Sequence, residues 1–252
     1  MGQNMEEYVL VYGLQKFNGA FTYFYPEPFI AKVSKGKPSY LEKNGNDEVI
    51  ISFQLKITDT PHEEALQLCR SMHPAALTAE LNRGQKKPLS LDQLFEDKRW
   101  SKVLQNRVYQ KLLRFLNLVR EHNLDFYFQV ARKIFLEDIR LRFAPLTLHP
   151  ILRFEKTATG THYYLYLEND GQRIVPCQHN IEIITDNPLL IVNDNVVFAI
   201  DDIFGQRLKP FLKQDKIFIP DRLTTEYFQK FIKDVATQAT IETEGYAYEE
   251  LK

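Results

Sequence analysis

The chain has 252 residues, 44% apolar and 26% charged, with 18 Phe and 13 Tyr. That much apolar and aromatic side chain can offset the entropy lost on folding, which excludes a disordered chain outside the termini and allows one large domain or two small ones. The net charge of −1 excludes association driven by a global field, and no apolar run approaches the ~20 residues that span a bilayer. Residues 1–10 carry Glu6 and Glu7 and no basic segment, so no signal peptide is expected. Cys69 and Cys177 stand alone, and reduced thiols in a cytoplasmic protein are the simplest reading of them.

In chain order, strand-like runs come first. Residues 8–12 and 20–25 flank Asn18-Gly19 and predict a hairpin that Pro26 and Pro28 end; residues 48–55 predict another strand. Thr60, Pro61 and Glu63 are a capping residue, a first-turn proline and a third-position acid, which predicts a helix to about Met72. Ser90 and Gln93 form a second capping box that opens a short helix, and residues 82–88 between the two helices form a polar loop. The longest helix is expected from Asp97 to Arg120. Trp100, Leu104, Val108, Leu112, Phe115 and Val119 recur at three- and four-residue spacing and share one face, and His122 and Asn123 close the helix. Beyond Leu124 the pattern turns to strands. Hairpins are predicted at Thr159-Gly160, Asp170-Gly171 and residues 193–195, a short strand at 217–219, a helix over 224–235 with Tyr227, Phe228, Phe231, Ile232 and Val235 inward, and an edge strand over 240–246.

The motifs that carry chemistry are missing from the pattern. Gly36-Lys37 is followed by Pro38, with no hydroxyl for magnesium and no glycine five residues earlier, so a phosphate-binding loop is excluded; no G-x-G-x-x-G occurs. The six histidines show no paired ligand spacing. Cys177 and His179 supply two candidate ligands where a tetrahedral site needs four, so neither a metal nor a catalytic site is assigned, and no cofactor. Asp201-Asp202 would point to opposite faces of a strand and suit a turn or helix cap better than acid–base work. One feature points outward. Residues 98–142 hold eleven basic and four acidic side chains, a surplus of +7 in an otherwise acidic chain. Lys98, Arg99, Lys102, Arg107, Lys111 and Arg114 are the candidate phosphate contacts, weighed against a merely solvated helix face. Trp100, Tyr109 and Phe115 lie near the apolar stripe, so no base-stacking platform is expected there.

The second half carries a longer pattern. Phe154-Glu155-Lys156-Thr157 leads to Gly160 and Tyr163-Tyr164, then to residues 198–205 (FAIDDIFG) and Leu208-Lys209-Pro210-Phe211. Ile217-Phe218-Ile219-Pro220, Tyr227-Phe228, Phe231 and Glu244-Gly245-Tyr246 complete it. This order is similar to the non-catalytic N-terminal region of bacterial Swi/Snf-type helicases, DNA-dependent ATPases whose motor lies further along the chain. The resemblance covers residues 124–248 and is weaker over the first 90. It implies a non-enzymatic accessory domain, with duplex DNA and the motor domains as partners and no small-molecule substrate. It also implies that the chain is a fragment of a longer protein or a free-standing relative. A protein-interaction module without nucleic acid is the competing expectation. The predicted fold class is α+β, with a β-hairpin and helical subdomain over 1–123 and an antiparallel β-rich subdomain over 124–252.

Overall fold

The computed structural model describes residues 7–19, 21–53, 55, 60–84, 86–96, 98–131, 134–201, 205–228 and 239–246, without the side chains of 98–105 and 205–206. The fold is α+β, rich in antiparallel pairing. Contacts divide the chain into two units, Met1–Arg142 and Phe143–Lys252.

The first unit begins with strands β1 (Tyr8–Phe17), β2 (Tyr23–Ser34) and β3 (Lys37–Asn44). The predicted hairpin forms, but Pro26 and Pro28 do not end it: they pair with Leu14 and Tyr12, and β2 runs on to Ser34. The reason is where their nitrogens point. The Pro28 carbonyl faces the β3 side and accepts the Gly45 N–H at 2.7 Å, while β3 pairs with β2 only from Phe29 onward. The missing donors of both prolines therefore fall beyond the end of the β3 ladder, where proline removes no ladder bond. Lys35 and Gly36, both at positive φ, make the tight turn into β3.

Residues 48–55 do not form the expected strand. Asn46 Oδ1 accepts the Val49 N–H at 2.9 Å and caps helix α1 (Asp47–Ser52), with Asp47 and Glu48 in its first turn. Val49, Ile50 and Phe53 turn inward while Ile51, 74% exposed, and Ser52 face solvent, the spacing of a helix face. Helices α2 (Thr60–Met72), α3 (Pro74–Leu81) and α4 (Leu91–Glu96) follow. The capping box before α4 is made in both directions: Ser90 N–H donates to Gln93 Oε1 at 2.9 Å and Gln93 N–H to Ser90 Oγ at 3.3 Å. The polar loop between α3 and α4 is pinned at its base, where the Asn82 amide exchanges two hydrogen bonds with the backbone of Leu89.

Helix α5 (Lys98–His122) is the long helix, and it ends as expected: Asn123 takes φ +49 and the Leu124 N–H reaches back to the Val119 carbonyl. Val108, Leu112, Phe115 and Val119 are buried, as their spacing predicts; the side chains of Trp100 and Leu104 lie outside the described residues. The Phe115 ring meets Tyr12 of β1 edge-on at 5.6 Å. It also meets Phe126 at 5.5 Å, on the short strand β4 (Phe126–Phe128) that runs parallel to β1. That pairing ties residues beyond α5 to the first sheet, order β3-β2-β1-β4, so the division falls at β5 (Arg142–Phe143) rather than at 123/124.

The second unit opens with the predicted meander, β6 (His149–Lys156), β7 (Gly160–Asn169) and β8 (Gln172–Ile174). Strands β9 (Glu182–Asp186), β10 (Leu189–Asn193) and β11 (Val196–Ile200) form an antiparallel group, with Asp194 and Asn195 at positive φ in the predicted hairpin turn. Short helix α6 (Gly205–Leu208) leads to β12 (Lys216–Pro220), helix α7 (Asp221–Tyr227) and β13 (Thr240–Glu244). The helix starts earlier than predicted; Phe231, Ile232 and Val235 lie outside the described residues. β13 lies on the edge of the sheet β12-β7-β6-β13, parallel to β6.

Because Phe115 has no exposed surface and is wedged between two other rings, Phe115→Ala should cost about 3–5 kcal/mol, read as a lower midpoint in denaturant titration at unchanged slope.

Candidate functional site

Arg107, Lys111 and Arg114 stand four and three residues apart, so they share one flank of α5, beside the buried stripe rather than opposite it. That flank faces α2 and α3. Arg107 Nη1 donates to Glu80 of α3 at 2.9 Å, Lys111 Nζ to the Ser71 carbonyl of α2 at 3.4 Å, and Arg114 Nε to Glu64 of α2 at 2.6 Å. The two arginines keep 56% and 68% of their side-chain surface, so their outer guanidinium edges face solvent. The side chains of Lys98, Arg99 and Lys102 lie outside the described residues. Further along the basic stretch, Arg140 pairs with Asp125 at 2.9 Å. The structure thus groups three of the six candidates and supplies each with a partner inside the unit, partners that the sequence reading had not assigned.

Several of the residues quoted for the Swi/Snf resemblance come together in the second unit. The Phe154 ring stacks on Tyr163 at 4.9 Å and meets Phe228 edge-on at 5.1 Å. Tyr163 meets Phe211 at 5.0 Å, and Phe228 meets Tyr246 at 5.3 Å. Leu208 and Ile219 fill the same cluster. Thr161 Oγ1 bonds to the Tyr246 hydroxyl, which fixes the chain just after Gly245, itself at φ +78. Burial, with Tyr227 next to it, pushes the Tyr163 hydroxyl far above its ordinary range, so this tyrosine is a neutral packing group. Asp202, Ile203, Phe204 and Phe231 are outside the described residues.

The weaker sequence candidates also have places. Asp201 follows β11 and its Oδ2 lies 2.8 Å from His149 Nδ1, both side chains largely exposed; Asp202 is outside the described residues. Cys177 lies in a 3-10 turn over residues 176–178, half-buried, and Cys69 is buried, both as free thiols. Among the described residues no three His, Cys, Asp or Glu side chains gather to hold a metal, and no helix is long and apolar enough to cross a membrane. No protein-family description, curated protein or solved structure matches the chain.

Gly160 is the residue of the resemblance with the tightest requirement. It pairs with Pro220 where β12 joins β7, and a Cβ there would stand 2.3 Å from the Ile219 carbonyl oxygen. Gly160→Ala should therefore displace β12 and cost about 1–3 kcal/mol, measured by thermal or denaturant unfolding.

Proposed function

We propose that the chain is a non-catalytic accessory domain of a Swi/Snf-type DNA-dependent ATPase, positioning duplex DNA or restraining the motor domains. Support for this reading comes from one observation above all: Phe154, Tyr163, Leu208, Phe211, Ile219 and Phe228, all residues of the resemblance, pack into one core in the second unit. In this reading the α5 cations, Lys98, Arg99, Lys102, Arg107, Lys111 and Arg114, are the DNA-facing group. The remaining exposure of Arg107 and Arg114 leaves donors for phosphate oxygens.

A second reading is favoured by the ion pairs. Arg107, Lys111 and Arg114 already brace α5 against α2 and α3, so the basic run has a structural use without nucleic acid. That leaves a protein-interaction module as the alternative.

Two outcomes follow from the first reading. The purified chain should release no phosphate from ATP, with or without DNA; turnover that a substitution within this chain abolishes would overturn the accessory assignment. Duplex DNA should bind weakly and without sequence preference, with a Kd of roughly 10⁻⁴–10⁻⁶ M at physiological salt. Arg107→Gln with Arg114→Gln should weaken binding to all sequences and lower the salt slope by about two. Fold stability should change little, since exposed ion pairs contribute about 0–1 kcal/mol each. Fluorescence titration at low salt is the measurement. Equal binding by wild type and double variant, or none by either, leaves the protein-interaction reading in its place.

A further inference from the structure

In the first unit a cleft of about 300 Å³ opens between β2, the turn into α1, and α2. Pro26, Pro28 and Leu66 give it apolar walls, Cys69 is buried in its lining, and Glu27 and His73 bring polar atoms to it. Glu27 is half-buried. Its Oε1 accepts one hydrogen bond, from Asn44 Nδ2 at 3.1 Å, and among the described residues no Lys or Arg pairs with it. The nearby guanidinium, Arg70 of α2, is turned to Asp47 of α1. His73 Nδ1 accepts the Ala75 N–H at 3.3 Å, which holds the ring at the cap of α3. The cleft therefore combines apolar walls with a half-buried carboxylate that no Lys or Arg among the described residues pairs with; the His73 imidazole beside it opposes the effect of burial.

We propose that this cleft is a binding site for an organic cation, an ammonium or guanidinium group on a short apolar stem, with the Glu27 carboxylate as counter-ion. A carboxylate held in apolar surroundings gains more from a charge-assisted hydrogen bond than one in water, and the proline and leucine walls match an alkyl stem in a volume at the small end of ligand pockets. Of the groups around Glu27, His73 attracts the carboxylate, and no Lys or Arg among the described residues pairs with it. Tyr25 lies two residues back on β2, Cys69 is a thiol whose burial pushes it well up, Asp47 repels anions, and Arg70 is engaged. The same chemistry can arrive as a free amine or as a Lys or Arg side chain of a partner protein.

The test uses the whole chain at pH 8 with n-butylammonium, n-butylguanidinium and n-butanol as probes, followed by calorimetry and by amide NMR shifts. Both cations should bind, with shifts centred on Glu27, Leu66, Cys69 and His73, and butanol should bind about ten-fold or more weakly. Glu27→Gln should lose about ten-fold or more of the affinity for the cations, while Glu27→Asp keeps part of it. The variant should stay folded. Burial raises the Glu27 carboxyl, so its contribution to stability is fullest below the ordinary carboxylate range and is lost as pH rises through the raised value. Removing that charge at pH 8 removes something folding disfavours. A capped Gly-Lys-Gly peptide that displaces butylammonium marks a partner's side chain as the source; exclusion of the peptide while the free amine binds marks a small amine. Butanol binding as tightly as butylammonium, an unaffected Glu27→Gln, shifts away from the cleft, or no binding of either cation would overturn the proposal.

Discussion

Phe115 sits between Tyr12 of β1 and Phe126 of β4, and that contact sets the rotation of α5 about its own axis. A helix with a buried stripe at 108, 112, 115 and 119 has no freedom to turn once one of those rings is locked between two strands. Everything else on α5 takes its place from there. Arg107, Lys111 and Arg114 come to the flank that α2 and α3 occupy, and Glu64, Ser71 and Glu80 become their nearest oxygens. The strand pairing of β4 with β1 depends on the same wedge, because Phe126 is both a ladder partner of Tyr12 and a wall of the Phe115 site. One aromatic contact thus couples the parallel strand pair to the orientation of the charged helix.

Local patterns were legible where the signal lies within a few residues. The Ser90–Gln93 capping box, the positive-φ turns at Asp170-Gly171 and Asp194-Asn195, and the described part of the α5 stripe, Val108 to Val119, form as read. The failures share a cause. At Pro26 and Pro28 the outcome depended on how far β3 extends along β2, which no local pattern encodes. At residues 48–55 a β-branched run suggested a strand, but the Asn46 cap and the acidic first turn outweighed a weak propensity. The division at β5 rather than at 123/124 follows from a parallel strand pair separated by more than a hundred residues of sequence. Parallel pairing leaves no turn signal to read.

The candidate site divides in the same way. A run of cations is visible in any sequence, and its spacing could have placed Arg107, Lys111 and Arg114 on one flank. Their carboxylate partners are 27 and 50 residues away, so the ion pairs appear only once α2 and α3 fold back on α5. The Glu27 cleft was illegible for a stronger reason: it gathers residues from β2, β3, α1, α2 and the cap of α3, none of them part of a motif. The core of the second unit was partly legible because Phe154, Tyr163 and Phe228 are packing residues, and packing residues are the ones a sequence pattern records best.

The ion pairs on α5 do not decide between phosphate binding and bracing, because the two uses differ in what they displace. A phosphate that approaches Arg107 or Arg114 competes with a carboxylate whose partner remains more than half exposed, an interaction of about 0–1 kcal/mol in water. Exchange is therefore cheap for each arginine. The carboxylates that are released do matter at longer range, since Glu64 and Glu80 stay beside the helix and repel the same backbone the arginines attract. Salt screens that repulsion and the attraction together within about 10 Å at 0.1 M. If the flank meets nucleic acid as proposed, the arrangement would limit its affinity far more than its ability to make contact, and would hold a duplex loosely enough for the chain to let go.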